Sequence, residues 1–291
     1  MQILEIDKQN IRISVSKGFV TVEDKAEQHR HPLDNIGCII VNSYGAQFSN
    51  QTLIRLAEAN IPLLICGNNA MPIGMLLSTS QNVYRKQRIE TQIKASVPLR
   101  KQLWQSIVKA KISNQSNVLK KLKKEYKDMV LLATNVRSGD ADNSEAVAAR
   151  RYWNRLFEES FKRDPELPGI NAFLNYGYAI IRAAICRAIV GTGLLPELGV
   201  NHRNMMNPFC LADDIMEPFR PFIDIKVHAL ATQNHDALTP AIKKELISIL
   251  KTQINFQGKR VHLDQSMLTI VYQFIESLNQ KKPLLQFPIL E

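Results

Sequence analysis

The apolar residues of this 291-residue chain change their period once, near residue 80, and do not change back. Before that point the period is two. IRISVS (11–16) alternates apolar and polar, and FVTVE (19–23) resumes the alternation after a Lys-Gly pair, which predicts two strands and a tight turn. The runs at 36–41 and 61–66 are short and β-rich, as in strands buried inside a sheet. Between them, residues 49–60 place Leu53, Leu56 and Ala57 at i, i+3 and i+4, with Ser or Asn to cap the helix and Asn60 to end it. NNAMP (68–72) marks a turn, and 73–77 reads as one more strand. Beyond residue 80 the period is 3.6. Val118, Leu119, Leu122, Tyr126, Met129 and Val130 form one helical stripe. Residues 172–190 form a long apolar helix stopped by Gly191 and Gly193. Residues 239–252 form another, with Pro240 at its first position, and 263–278 the last. The ending KKPLLQFPILE is interrupted by Pro283 and Pro288, which predicts a mobile tail over 281–291. The expected class is therefore α+β. A small β-rich domain (1–77) is followed by a linker (78–83) and a larger all-α domain (84–291).

An apolar fraction of 45% is enough for a sizeable core and excludes a mainly disordered chain. The four cysteines are scattered with no CxxC pair, which disfavours a zinc ribbon or a disulfide scaffold and fits a reducing cytoplasm. The opening MQILEIDKQN lacks the pattern of a signal peptide. The longest apolar runs, such as 61–66, fall short of the roughly 20 residues of a membrane span, so no membrane partner is expected.

The charge is localised. Residues 85–127 hold 13 basic and 2 acidic residues, and the remaining 248 residues carry a net −1. The β-rich part, with 6 basic and 7 acidic residues, is nearly neutral. A charge run of this kind is compatible with a solvated helix face. Its one-sidedness points to a polyanion, because Lys and Arg neutralise phosphates and release counterions without reading sequence. The candidates for DNA contact are Arg85, Lys86, Arg88, Lys120, Lys121, Lys123 and Lys124, joined by Arg150, Arg151 and Arg203 elsewhere in the chain.

Three segments carry groups suited to a metal. In DNSEAVAARRYW (142–153), Asp142, Asn143 and Ser144 suit the N-cap of a helix, which puts Glu145 in its first turn. A glutamate there also suits the helix dipole with no further role. In GVNHRN (199–204), His202 lies in a polar loop, and loops carry function more often than cores do. In FCLADDIMEPFRPF (209–222), Asp214 and Glu217 are three apart and share one side of a helix. Two such carboxylates repel unless a cation separates them or one is protonated. A solvated pair with Arg220 as ion partner is the plainer reading. Two or three carboxylates and one imidazole suit Mg²⁺ or Mn²⁺ better than zinc. Such an ion beside a phosphate-binding surface describes a phosphodiester enzyme.

SEAVAARRYW, GVNHRN and FCLADDIMEPFRPFID, in that order, resemble the CRISPR-associated spacer-acquisition integrase family, Cas1, in its type II form. The resemblance extends over nearly the whole chain. Ala146 stands where many members have Gly, and Asn201 where close relatives often have a second His. The resemblance implies that Glu145, His202 and Glu217 are catalytic metal ligands for Mg²⁺ or Mn²⁺, with Asp214 near the site. It implies a homodimer built through the β domains, with two such dimers flanking a dimer of the small partner Cas2. It implies that the complex joins the 3′-hydroxyl ends of a short DNA fragment to the CRISPR repeat by transesterification. The type II effector nuclease and a further adaptation protein are its implied helpers. Two rivals stand beside this reading. One is a metal-dependent nuclease without integration. The other is a non-catalytic DNA-binding scaffold whose acidic residues only cap helices.

Overall fold

The computed structural model describes residues 2–24, 27–67, 72–78, 85–157, 161–233 and 237–291. The chain divides into two compact units, Met1–Val83 and Tyr84–Glu291. Apart from Ser78, the expected linker over 78–83 lies outside the described residues.

The first unit runs β1 (Gln2–Ile6), β2 (Arg12–Ser16), β3 (Phe19–Glu23), β4 (Gln28–Pro32), β5 (Ile36–Val41), β6 (Gln47–Phe48), α1 (Asn50–Glu58), β7 (Leu63–Cys66) and β8 (Pro72–Leu76). Lys17 and Gly18 both have positive φ, 48° and 76°, as the tightest turn between β2 and β3 requires. One sheet has the order β4-β3-β2-β6 and the other β1-β5-β7-β8. β5 is buried at all six positions between parallel β1 and β7, so its sequence is continuously apolar. α1 is capped by Ser49, whose side chain accepts from Thr52 N–H. Ile13, Val20, Ile39 and Leu56 are fully buried at the centre of this unit's core.

The second unit contains α2 (Arg85–Ile93), α3 (Val97–Lys121), α4 (Lys127–Asn135), α5 (Ser144–Leu156), α6 (Ile170–Gly191), α7 (Cys210–Met216), α8 (Arg220–Thr232), α9 (Pro240–Ile247), β9 (Gln253–Phe256), β10 (Lys259–His262) and α10 (Leu263–Gln280). A 3₁₀ turn, Glu217–Phe219, joins α7 to α8. α6 is the central helix, buried along most of its length and packed on α7, α8, α9 and α10. By length and composition α6 could cross a membrane, which corrects the expectation that no apolar run is long enough. In the fold, 89% of its most apolar window is buried by protein, as in a core helix. Gly177 allows α8 to approach, since a Cβ there would lie 2.4 Å from Ile223 Cγ2.

Three further expectations need correction. The stripe over 118–130 is two helices. α3 stops at Lys121, Lys123 takes a left-handed φ of 57°, and Lys124 N–H returns to Leu119 C=O. The lysines suit the negative end of α3; the stop itself is the left-handed Lys123, after which Lys124 N–H caps Leu119 C=O. The helical unit is not all-α, because β9 and β10 form an antiparallel hairpin turned by Gln257 and Gly258, both at positive φ. The tail 281–291 is anchored rather than mobile. The buried Asn114 side chain donates to Pro288 C=O and accepts from Leu290 N–H, while Leu285 and Leu290 are buried and Phe287 meets Phe219 edge-on.

Candidate active site

α5 begins with Glu145 half-buried on its first turn, and its cap differs from expectation. Asn143 is left-handed and makes no side-chain cap; Asp140, further upstream, accepts from Ser144 N–H and Glu145 N–H. Asp142 instead pairs with Arg137. Glu145 Oε1 lies 2.6 Å from Lys111 Nζ, reached across from α3.

Glu217 opens the 3₁₀ turn and is buried, 4% exposed. Its Oε1 accepts from Arg220 Nε at 2.8 Å, and its Oε2 lies 2.5 Å from Lys111 Nζ. Burial alone would raise this carboxyl; Arg220 and Lys111, one at each oxygen, reverse that and hold it at about 2. The Lys111 contact is a charge contact, since Oε2 receives no well-directed hydrogen bond. Lys111 is itself buried, which would lower its ammonium, but the Glu217 and Glu145 charges raise it. One ammonium thus joins two carboxylates from separate elements.

Asp214 and Glu217 are not a paired site. Asp214 is fully buried and faces the loop after α6. It accepts from the backbone N–H of Val200, Asn201 and His202, and its Oδ1 lies 2.7 Å from His202 Nδ1. The loop can close this tightly because residue 199 is glycine. A Cβ there would lie 2.5 Å from His202 C=O and 2.8 Å from Asp214 Oδ2. The Asp214 hydrogen bond raises the His202 imidazole above its ordinary range, against the effect of burial. The Trp104 ring meets the imidazole edge-on, with centroids 5.9 Å apart. With Nδ1 tied to a carboxylate, Nε2 is the nitrogen that could take a metal, the arrangement common behind metal-bound histidines.

Glu145 and Glu217 are therefore brought together on one cation. His202 is near enough for its charge to act on Glu217. Among the described residues, no three His, Cys, Asp or Glu side chains form a ready metal cluster. The donor chemistry nonetheless fits a divalent ion. Two carboxylates already share a cation, and the His202 Nε2 has no hydrogen-bond partner among the described residues.

Behind the site is a cavity of about 140 Å³, lined among others by Lys111, Gln115, Tyr178, Glu217, Arg220 and Asp224. Burial pushes the Asp224 carboxyl up to about 7, although Tyr178 and Tyr152 both donate to it. Arg220 lies 4.4 Å above the Tyr178 ring.

Lys111 was legible only as part of the basic run. Its signal was positional, because it falls on the buried stripe Trp104, Ile107, Val108, Lys111, Gln115, Val118, where a charge needs a partner.

The candidate DNA contacts separate into two groups. Arg88 donates to Thr192 C=O, and Lys124 donates to the carbonyls of Arg155 and Leu156 at the end of α5. Lys121 donates to Glu291 C=O, and Arg151 pairs with Asp128. Lys86, Lys120, Lys123, Arg150 and Arg203 are exposed, and Arg85 is half-buried.

The sequence profile described as CRISPR associated protein Cas1 matches residues 4–245. The chain belongs to the Cas1 family. A curated relative, the CRISPR-associated endonuclease Cas1 of Neisseria meningitidis, is 39% identical over 250 residues, which cover 84% of this chain and 82% of the relative. Among solved structures, a casposase bound to integration product superposes with a TM-score of 0.83 at 20% identity, covering 98% of this chain and 93% of that one. A chain from a Cas6-RT-Cas1–Cas2 complex superposes with a TM-score of 0.79 at 18% identity, covering all of this chain and 36% of that one. The Cas1 fold, an N-terminal β-sheet region followed by a mostly helical region, is the fold of this chain.

Proposed function

We propose that this Cas1 protein is a metal-dependent DNA endonuclease and integrase of CRISPR adaptation, which joins the 3′-hydroxyl ends of a short DNA fragment to the CRISPR repeat. The observation that carries the reading is the convergence of Glu145 and Glu217 on one largely buried cation, beside an imidazole oriented by Asp214. Glu145, His202 and Glu217 would hold Mg²⁺ or Mn²⁺. Such an ion, when bound, polarises a phosphodiester oxygen and favours a bound hydroxyl in its deprotonated form.

The chain's own residues do the rest. Arg220 and Lys111 keep Glu217 ionised inside the protein, so it is available as a ligand at any physiological pH. Asp214 fixes which nitrogen of His202 faces the site. Exposed Arg150 and Arg203, near the ligand positions in sequence, are suited to hold the DNA backbone on either side of the reacting phosphate. Transesterification and hydrolysis differ only in the attacking oxygen, a DNA 3′-hydroxyl or water, and no covalent protein nucleophile is required.

The partners that fit are DNA, a second copy of the chain through the β-rich unit, and a Cas2 dimer, with the protein working in the cytoplasm. The type II effector nuclease and a further adaptation protein complete the proposed set. Support for Cas2 comes from the Cas6-RT-Cas1–Cas2 complex, whose matching chain shares this fold.

The test is an integration assay with purified protein, with and without Cas2, using a supercoiled repeat plasmid and labelled DNA ends. Glu145→Ala, His202→Ala and Glu217→Ala should each abolish strand joining while leaving DNA affinity nearly intact, because phosphate contacts elsewhere carry the binding. Joining by His202→Ala protein would refute the ligand assignment. Release of fragments without joined product would leave only the nuclease, and no reaction from wild type with added Mn²⁺ would leave only the scaffold.

A further inference from the structure

We propose that Lys111 is the built-in counter-cation of the ligand site, an ammonium that holds Glu145 and Glu217 together when no divalent ion is bound and that must vacate them when one binds. The inference rests on the proposed metal site and concerns how that site is kept before loading. Lys111 Nζ is 2.6 Å from Glu145 Oε1 and 2.5 Å from Glu217 Oε2. An ion held by both carboxylates needs the same space. Without any cation, two carboxylates this close, Glu217 buried and Glu145 half-buried, would repel. The ammonium therefore stabilises the metal-free protein and competes with the ion by the same contacts.

The structure also contains a second seat. Gln115 is one helical turn further along α3, on the same face as Lys111. It is 3% exposed, and its Oε1 has no hydrogen-bond partner among the described residues. Buried carbonyl oxygens are seldom left unpaired without a reason. Both side chains line the 140 Å³ cavity, which Asp224 also borders. An ammonium leaving the two glutamates finds there an unused acceptor and a carboxyl, Gln115 Oε1 and Asp224, lining the same cavity. Lys111 thus has two positions: between the ligands in the metal-free protein, and at Gln115 in the loaded one.

The test measures Mn²⁺ binding to the full chain by titration calorimetry and by the signal of free Mn²⁺ in electron paramagnetic resonance, together with thermal unfolding with and without the ion. Lys111→Met removes the competitor and keeps the stem. It should unfold at a lower temperature than wild type without metal, bind Mn²⁺ about tenfold more tightly, and regain the lost stability at saturating Mn²⁺. Gln115→Leu keeps the lysine but removes its second seat. It should keep metal-free stability or gain slightly, and bind Mn²⁺ several-fold more weakly. If Lys111→Met does not fold, Gln115→Leu decides alone. Unchanged or weaker Mn²⁺ binding in folded Lys111→Met, or unchanged binding in Gln115→Leu, overturns the inference. Glu217→Ala separates the two readings. If wild type and Glu217→Ala bind Mn²⁺ equally or not at all, the metal site itself is wrong; if binding needs Glu217 and ignores Lys111, only the counter-cation fails.

Discussion

Replacing Asp214 should damage the site through its histidine and the fold through its loop, and the two effects can be separated. Asp214 accepts from three consecutive backbone N–H groups, of Val200, Asn201 and His202, and lies 2.7 Å from His202 Nδ1. In Asp214→Ala all four lose their acceptor. A buried donor left unpaired costs about 1–3 kcal/mol. Val200 is buried and His202 partly so, while Asn201 is exposed and can turn to water. The expected loss is therefore about 2–4 kcal/mol, less than three full penalties. Asp214→Asn keeps one acceptor oxygen for the backbone but turns an NH₂ group toward the ring or the loop, where donors already point. Its stability loss should be smaller, about 1–2 kcal/mol, while the imidazole still loses its fixed orientation. Removing a carboxylate behind a metal-ligating histidine typically costs 10- to about 100-fold in metal affinity or activity. Both variants should fall in that range in strand joining, well short of the complete loss in Glu217→Ala. The assays are urea unfolding and strand joining at a temperature where every variant is folded. Wild-type joining by Asp214→Asn would refute the orienting role, and wild-type stability of Asp214→Ala would refute the loop account.

Other consequences follow from the charges. Exposed Lys120 and Lys123 should carry any phosphate contacts of the 120–124 cluster, since Lys121 and Lys124 are occupied by carbonyls. Lys120→Gln with Lys123→Gln should flatten the slope of log affinity against log salt by up to about 1.8, alike for all DNA sequences; an unchanged slope in a salt titration sends the DNA elsewhere, past Arg150 and Arg203. Asp224 has its folded pKa raised to about 7 from 3.8, so the folded state keeps a proton that the unfolded chain releases. That contribution is whole below about pH 3.8 and is lost as pH rises toward about 7, by at most about 4 kcal/mol. Asp224→Asn should remove this decline, and parallel stability profiles of the two proteins would contradict it. Light scattering should show a dimer at micromolar concentration, and a 33.1 kDa monomer alone would count against the pairing of β-rich units.

What could be read before the structure depended on whether the signal was periodic or spatial. The hairpin over 11–23, the buried strand at 36–41 and the capped helix after Ser49 each carry their own local pattern, and each was found. β4, QHRHP, is polar and exposed, so no apolar alternation marks it as a strand. The hairpin at 253–262 had a local signal, the alternation on either side of Gln257 and Gly258, which its position between two helices obscured. The tail was misread because its prolines suggest disorder, while its anchor is the side chain of Asn114, far away in sequence. The site divides in the same way. Glu145, His202 and Glu217 could be picked out by residue type and order. That Lys111 joins two of them, and that Asp140 rather than its neighbours caps α5, depends on contacts no spacing displays.

The spacing of Asp214 and Glu217 gains a different meaning from the structure. Three residues apart on a helix suggests two carboxylates acting together on one ion. Instead the chain passes from α7 into a 3₁₀ turn at Glu217, and the two carboxylates do different work. Asp214 points to the loop and sets the direction of His202; Glu217 points to Lys111 and Arg220 and offers its oxygens to the site. Because both sit on the short stretch 214–217, a shift of that stretch moves the imidazole and the carboxylate together. The relative position of His202 and Glu217, two proposed ligands 15 residues apart in sequence, is thus set by one short segment packed on α6 and α3. Glu145 comes from another helix, α5, and its link to Glu217 runs through the Lys111 ammonium. The proposed ligand set is therefore two parts, one prebuilt and one joined through Lys111, and Glu145 is the member whose position should respond most if that cation is replaced.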